Sequence, residues 1–268
     1  PTVTYDATGA GANSGAGTVT SLSWSHTAAA GADVFAIFTR SAGGGDFVSC
    51  TYDGAAMSLV GNISVNNNSA TATMFIFRKS NVAAGTKTVV ATWTGGAYAS
   101  ANSVSYLNVG SVATISESAA YGNALTASQS ISGAINSVIL NAQTQYCGGV
   151  DTFVSSSGGT QRSQILPSSK YMNLVIQDST STGSVTFTST VTAASTYWGS
   201  LGLVLGPTLP STASVYTPTV LSVGGGNGSL ASSISWTHNI ESTANLLVVG
   251  VSWVSSNFSP TCTVGGVT

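Results

Sequence analysis

Both histidines of this 268-residue chain lie in one short pattern, SLSWSHT at 21–27 and SISWTHN at 233–239. A histidine near hydroxyl and acidic groups can serve nucleophilic catalysis or bind a metal. The pattern gives no support for a Ser-His-Asp triad, because serines occur throughout the chain and no GxSxG motif is present. A metal site needs further ligands at suitable spacing, which neither His26 nor His238 has. We therefore expect no catalytic residue, no metal site and no cofactor.

The acidic residues are the other candidates for chemistry. They never form the DxDxDG spacing of a calcium loop, and nothing selects a pair for glycoside hydrolysis. A calcium ion held in a loop remains an alternative. Asp53-Gly54 instead predicts a tight hairpin turn, because such turns need positive φ at their central residues. The acidic residues are Asp6, Asp33, Asp46, Asp53, Glu117, Asp151, Asp178 and Glu241.

The Trp-His pattern is interpreted more simply as structural. On a strand, Leu22, Trp24 and His26 share one face, and the hydroxyl residues between them share the other. The apolar face is the core face. We therefore predict that Trp24 anchors a core and that His26 hydrogen-bonds backbone at its rim. Trp236 and His238 are predicted to have the same roles.

Aromatic side chains are the remaining candidates for ligand binding, because flat rings suit stacking against sugars. Tyr98 and Tyr121 lie among Gly, Ala and Ser, and are therefore predicted to be exposed members of a carbohydrate-binding surface. Alternation along the chain places Trp93 with Val89 and Ala91 in the core. Core packing is the alternative for any one of these aromatic residues.

The elements that must position these residues are strands. Valine, threonine, serine and aromatic residues alternate over 86–93, 136–144 and 184–191, and Gly, Asn or Ser clusters bound each stretch. No segment sustains apolar residues at helical spacing over three turns. The spacing of strands and turns predicts an all-β fold, an antiparallel, jelly-roll-like β-sandwich.

The charge of the chain excludes several functions. Charged residues are 5% of the total and the net charge is −2, so there is no basic patch to bind nucleic acid or an anionic membrane surface. The apolar runs at 34–38 and 246–251 are too short to cross a bilayer as helices. We expect no nucleic-acid partner and no membrane insertion.

The sequence also repeats itself. From Ser21 onward the sequence aligns without a gap with the sequence 212 positions later, so that Trp24 falls on Trp236 and His26 on His238. Before the repeat, the stretch PTLPSTASVYTP is rich in proline and suits a spacer. We predict a β-sandwich domain at 1–206, a Pro/Ser/Thr linker at 207–217, and at 218–268 the N-terminal part of a second copy.

The repeat constrains the cysteines. Cys50 and Cys262 occupy equivalent positions in the two copies, so Cys147 is the better disulfide partner for Cys50 in an extracellular setting. The alternative is that Cys50 and Cys147 are buried free thiols, because cysteine behaves as a small hydrophobic residue.

Four stretches carry a family resemblance: TVTSLSWSHTAAAGADVFAIFTR, VSCTYDGAAMSLVGN, MFIFRKSNVAAGTKTVVATW and ANSVSYLNVG. In their style and order they resemble the repeated β-rich domains of minor tail and other virion proteins of phages that infect mycobacteria and related actinobacteria. The later stretches DTFVSSSGGTQR and YWGSLGLVLG fit the same layout, so the resemblance covers essentially all of residues 1 to 207 and continues into the second copy.

This resemblance implies a non-enzymatic structural protein located in the virion. Its expected partners are other virion subunits, including further copies of itself, and a glycan of the host envelope. A secreted bacterial adhesin or filament subunit completed by strand addition is the alternative. A carbohydrate-active enzyme ranks third.

Overall fold

A computed structural model describes residues 1–41, 48–64, 72–120, 125–146, 152–168, 171–192 and 197–208, with backbone alone at 114–120 and 197. Every regular element in these ranges is a β-strand, so the predicted all-β class is confirmed. In chain order the strands are β1 (Thr4–Thr8), β2 (Ala12–Asn13), β3 (Val19–Ala28), β4 (Asp33–Ser41), β5 (Val48–Tyr52), β6 (Ala55–Ala56), β7 (Ser58–Ser64), β8 (Ala72–Lys79), β9 (Gly85–Ala97), β10 (Ala99–Leu107), β11 (Val109–Ala120), β12 (Thr126–Ser132), β13 (Val138–Tyr146), β14 (Phe153–Ser157), β15 (Thr160–Ile165), β16 (Met172–Ser179), β17 (Ser184–Val191) and β18 (Tyr197–Pro207).

The strands form four sheets, and all their pairings are antiparallel. Sheet I has the order β3-β9-β5-β6. Sheet II has the order β1-β10-β4-β8-β7, with β2 also beside β10. Sheet III has the order β11-β18-β13-β16-β15, and sheet IV has the order β12-β17-β14.

The central strands β4 and β10 of sheet II are buried on both faces. In β4, Val34, Ala36 and Phe38 pack in a core shared with sheet I. The alternate residues Phe35 and Ile37 pack in a second core shared with sheet III. A strand covered on both sides needs apolar residues at every position, which explains why the sequence reads VFAIF without alternation.

Sheet III repeats this arrangement one layer further on. In β13, Leu140 and Ala142 face sheet II, whereas Ile139 packs with Ile131 and Phe187 of sheet IV. The sheets therefore stack in the order I, II, III, IV. The predicted antiparallel β-sandwich architecture is confirmed, and the unit Pro1–Ala213 contains two such sandwiches packed back to back through their larger sheets.

The two sandwiches have the same topology. In sheet II the strand order β1-β10-β4-β8-β7 matches β11-β18-β13-β16-β15 of sheet III, strand for strand in chain order. The order β3-β9-β5 of sheet I likewise matches β12-β17-β14 of sheet IV. Residues 4–107 and 109–207 are therefore two versions of one module.

The predicted hairpin turn is confirmed. Tyr52 pairs with Ala55 across it, and its central residues Asp53 and Gly54 have φ of 52° and 75°. These are the positive values that a tight two-residue hairpin requires.

The chain divides into two units, Pro1–Ala213 and Ser214–Thr268. The predicted second copy at 218–268 lies outside the described residues, as does most of the predicted linker at 207–217. The tandem repeat and the roles of Trp236 and His238 therefore stay predictions.

Candidate functional site

Three tyrosines form a cluster at one end of sheets II and III. Tyr98 lies at the corner between β9 and β10, Tyr146 ends β13, and Tyr171 precedes β16. The Tyr98 and Tyr171 rings stack with centroids 4.3 Å apart and planes at 21°. The Tyr146 ring is 5.7 Å from that of Tyr171 and tilted by 43°. We call these three residues the tyrosine cluster.

The backbone holds the tyrosine cluster in place. The Tyr98 amide donates to Ser41 Oγ at 3.0 Å, and the Ser41 amide donates to the Tyr98 carbonyl at 2.8 Å. Tyr146 pairs directly with Met172 across β13 and β16, and Met172 is buried beneath the rings. Neighbouring strands of two rigid sheets therefore position the cluster.

The tyrosine cluster is chemically suited to stacking. All three rings are half-buried, so each keeps part of its surface in solvent. Aromatic groups with an apolar body and a polar tip are favoured where a ligand is partly wet. Tyr98 is thus placed as a partly exposed aromatic residue, and Tyr121 lies outside the described residues. The sequence did not single out Tyr146 and Tyr171, whose proximity to Tyr98 depends on how sheets II and III pack.

The Trp-His pattern lies in the core between sheets I and II. Trp24 Nε1 donates to Ser103 Oγ at 2.9 Å, and Ser103 Oγ is 2.8 Å from His26 Nδ1. On its other side, His26 Nε2 is 2.9 Å from Ser105 Oγ, which donates to Asp6 Oδ2 at 2.7 Å. Trp24 is buried as predicted. The partners of His26 are two serine hydroxyls and not backbone groups.

These contacts form a chain with one direction. The Asp6 carboxylate can only accept, so the Ser105 hydroxyl donates to it and in turn accepts from His26 Nε2–H. The other ring nitrogen, Nδ1, then accepts from the Ser103 hydroxyl, which itself accepts from the Trp24 indole N–H. Burial lowers the pKa of His26 to about 4, with Asp6 acting in the opposite sense. A neutral imidazole protonated at Nε2 satisfies every partner.

This arrangement differs from a catalytic triad. The carboxylate of Asp6 contacts Ser105 rather than the imidazole, whereas a triad carboxylate orients the histidine. Ser103 and Ser105 have no exposed surface, so no substrate reaches either hydroxyl. In the described geometry His26 links two sheets.

The other described carboxylates are also engaged within the fold. Asp33 binds Arg78. Asp178 accepts from Arg162 Nε at 2.9 Å and from the Tyr106 hydroxyl at 2.8 Å, so it joins sheets II and III. Burial, together with Asp178, raises the pKa of Tyr106 well above its usual value. Among the described residues, no group of three or more His, Cys, Asp or Glu could hold a metal ion.

Cys50 is a buried free thiol in the core between sheets I and II. Its Sγ lies 3.5 Å from Met57 Sδ. Burial raises the pKa of Cys50 to about 12. This environment is the one expected from the free-thiol alternative. Cys50 forms no disulfide in this structure, which disagrees with the predicted Cys50–Cys147 bond; Cys147 itself lies outside the described residues.

The outer faces of the stack are covered with hydroxyl groups. Neighbouring strands pair them, as in Thr27 with Thr86 at 2.7 Å and Ser130 with Thr186 at 2.7 Å. Such pairs stabilise a sheet and keep its solvent face polar without charge. The exposed members on sheet I include Ser21, Ser23, Ser25, Thr27, Thr86, Thr88, Thr92 and Thr94, and those on sheet IV include Thr126, Ser128, Ser130, Ser132, Ser184 and Thr186.

The described residues include no helix long and apolar enough to span a membrane. Comparison of the chain with models of known protein families, with curated proteins and with solved structures finds no match.

Proposed function

We propose that this protein is a non-enzymatic structural component of a phage virion, in the tail, and that it contacts glycans of the host envelope. The observation that carries the host contact is the tyrosine cluster of Tyr98, Tyr146 and Tyr171. Its stacked rings are partly exposed on a rigid support. The virion assignment rests on the resemblance of residues 1 to 207 to phage tail domains.

Two further features support a structural role. The described histidine and carboxylates serve contacts within the fold, as the chain from Trp24 to Asp6 illustrates. The hydroxyl-covered outer faces suit a particle surface, because neutral polar groups do not attract charged macromolecules through long-range fields. The four stacked sheets also share buried cores with their neighbours, which suits a structural role.

The test is binding of the purified, fluorescently labelled chain to actinobacterial cells and to glycans extracted from their envelope. We expect saturable binding that free envelope glycan displaces. Tyr98→Ala removes one ring of the stack and should weaken binding about tenfold. Tyr98→Phe keeps the ring and serves as the matched control, with much smaller loss.

Equal binding by the wild type and Tyr98→Ala would overturn the role of the tyrosine cluster. Loss of binding by both variants, with the fold intact by circular dichroism, would show that the hydroxyl rather than the ring face is required. Release of sugar products from the glycan would contradict the non-enzymatic assignment.

A further inference from the structure

The space between sheets III and IV is lined with amide side chains. From β13, Asn141 Nδ2 donates to Gln129 Oε1 at 2.8 Å, and Gln143 Nε2 donates to the Phe187 carbonyl at 3.1 Å. From β16, Gln177 Nε2 donates to the Thr188 carbonyl at 3.0 Å. This layer contrasts with the core between sheets I and II, which is built from aromatic and aliphatic side chains.

Four oxygens of this amide layer have no hydrogen-bond partner among the described residues. They belong to Asn141, Gln143, Asn173 and Gln177, and all four residues have no exposed surface. Asn141 and Gln177 lie directly opposite each other on paired strands, and Gln143 is the next residue along β13 on the same face. These three side chains therefore share one face of neighbouring strands, with the Cβ atoms of the opposed pair about 5 Å apart.

Buried amide oxygens that accept no hydrogen bond would lower the stability of the fold. A buried acceptor without a donor costs about 1–3 kcal/mol, and native proteins rarely keep several together. Buried water commonly solves this problem, since each molecule makes about three hydrogen bonds to such groups. We propose that ordered water molecules occupy the layer between sheets III and IV and donate to the amide oxygens of Asn141, Gln143, Asn173 and Gln177.

Water suits this layer better than a cation. The orphan groups are neutral amide oxygens, whereas calcium sites are built largely from carboxylates. Asp178, the acidic residue of β16, points to the other side of sheet III, where it binds Tyr106. A buried cation without a counter-charge would pay a large desolvation cost.

The experiment uses the full chain with labelled Asn and Gln side-chain amides. Magnetisation transfer from water to these protons in nuclear magnetic resonance reports water molecules with residence times above about a nanosecond. We expect transfer to the amide protons of Gln143 and Gln177. The variant Gln143→Met removes one acceptor without changing the length of the side chain, and should abolish the transfer at Gln177. The variant Asn62→Leu alters an exposed amide of β7 in sheet II, away from this layer, and serves as the control that keeps the transfer.

Two results would overturn the proposal. The first is an absence of water transfer at both amides in the wild type, which would mean that the oxygens find protein donors. The second is a shift of these amide signals when sodium, potassium or calcium chloride is added, compared with a buffer of equal ionic strength, which would show that an ion fills the layer. If Gln143→Met fails to fold, these wild-type measurements decide.

Discussion

The substitution His26→Gln should make the free energy of unfolding less dependent on pH. The imidazole lies between Ser103 and Ser105 in the core, where burial lowers its pKa from 6.5 to about 4. Protonation would put a second proton on the ring and turn Nδ1 from an acceptor into a donor. The hydrogen from Ser103 would then face another hydrogen.

The sign and size of the His26 contribution to stability follow from the linkage between proton binding and folding. Between pH 6.5 and pH 4 the unfolded chain binds a proton at His26 that the folded chain does not, so the stability of the fold rises with pH in that window. The contribution is fully present above the unfolded pKa and is lost as pH falls toward the folded pKa. At 1.36 kcal/mol per pH unit, the loss from His26 is about 2 kcal/mol between pH 7.5 and pH 5.

The assay is urea unfolding followed by tryptophan fluorescence at pH 7.5 and pH 5. Both proteins carry His238→Gln, so that residue 238 titrates in neither of them. One of the two, the double variant, also carries His26→Gln. The single variant should lose about 2 kcal/mol more stability on acidification than the double variant. Equal losses in the two proteins would refute the assignment of a neutral, buried His26.

Three further predictions concern contacts between layers. Ser103→Ala deprives two buried groups of a partner and should lower the free energy of unfolding by about 2 kcal/mol in urea titration, whereas an unchanged midpoint would contradict the directed chain. Tyr106→Phe removes one of the donors to the buried Asp178 carboxylate and should cost about 2 kcal/mol, and the change would be near zero if sheets II and III did not share this contact. The thiol of Cys50 has a pKa of about 12, so alkylation at pH 8 should modify it only after unfolding, as peptide mapping can show; rapid labelling of the native protein would disprove its burial beside Met57.

Local patterns in the sequence predict the strands and turns well. The alternation at 184–191 corresponds to β17, and the Asp53-Gly54 pair forms the expected turn. The core face of β3 is also correct, because Trp24 is buried between exposed hydroxyl residues. These features depend on side chains a few positions apart, which a period of two can express.

Local sequence patterns do not give the number of stacked sheets. Continuous apolar strands such as VFAIF indicate burial on both faces, but they do not say which sheet covers the second face. A sequence signal for the doubled module exists, since GGGDFVSC at 43–50 resembles GGVDTFVSS at 148–156. This similarity is weaker than the repeat at 212 positions, and only the longer repeat is therefore evident from the sequence.

The contacts of the candidate site depend on tertiary packing. Tyr98 could be singled out from its small neighbours, but its partner Tyr171 comes from a different sheet. The chain of hydrogen bonds from Trp24 to Asp6 likewise joins residues of β3, β10 and β1. Such groups meet through the stacking of whole sheets, which local spacing does not specify.

The most direct test of the proposed function is to locate the chain on a particle. Antibodies raised against the purified protein would be used for immunogold electron microscopy of phage particles produced from the genome that encodes this sequence. The proposal predicts gold label on the tail of intact virions. Unlabelled particles, with the protein instead secreted into the medium by uninfected cells, would contradict it and favour the adhesin.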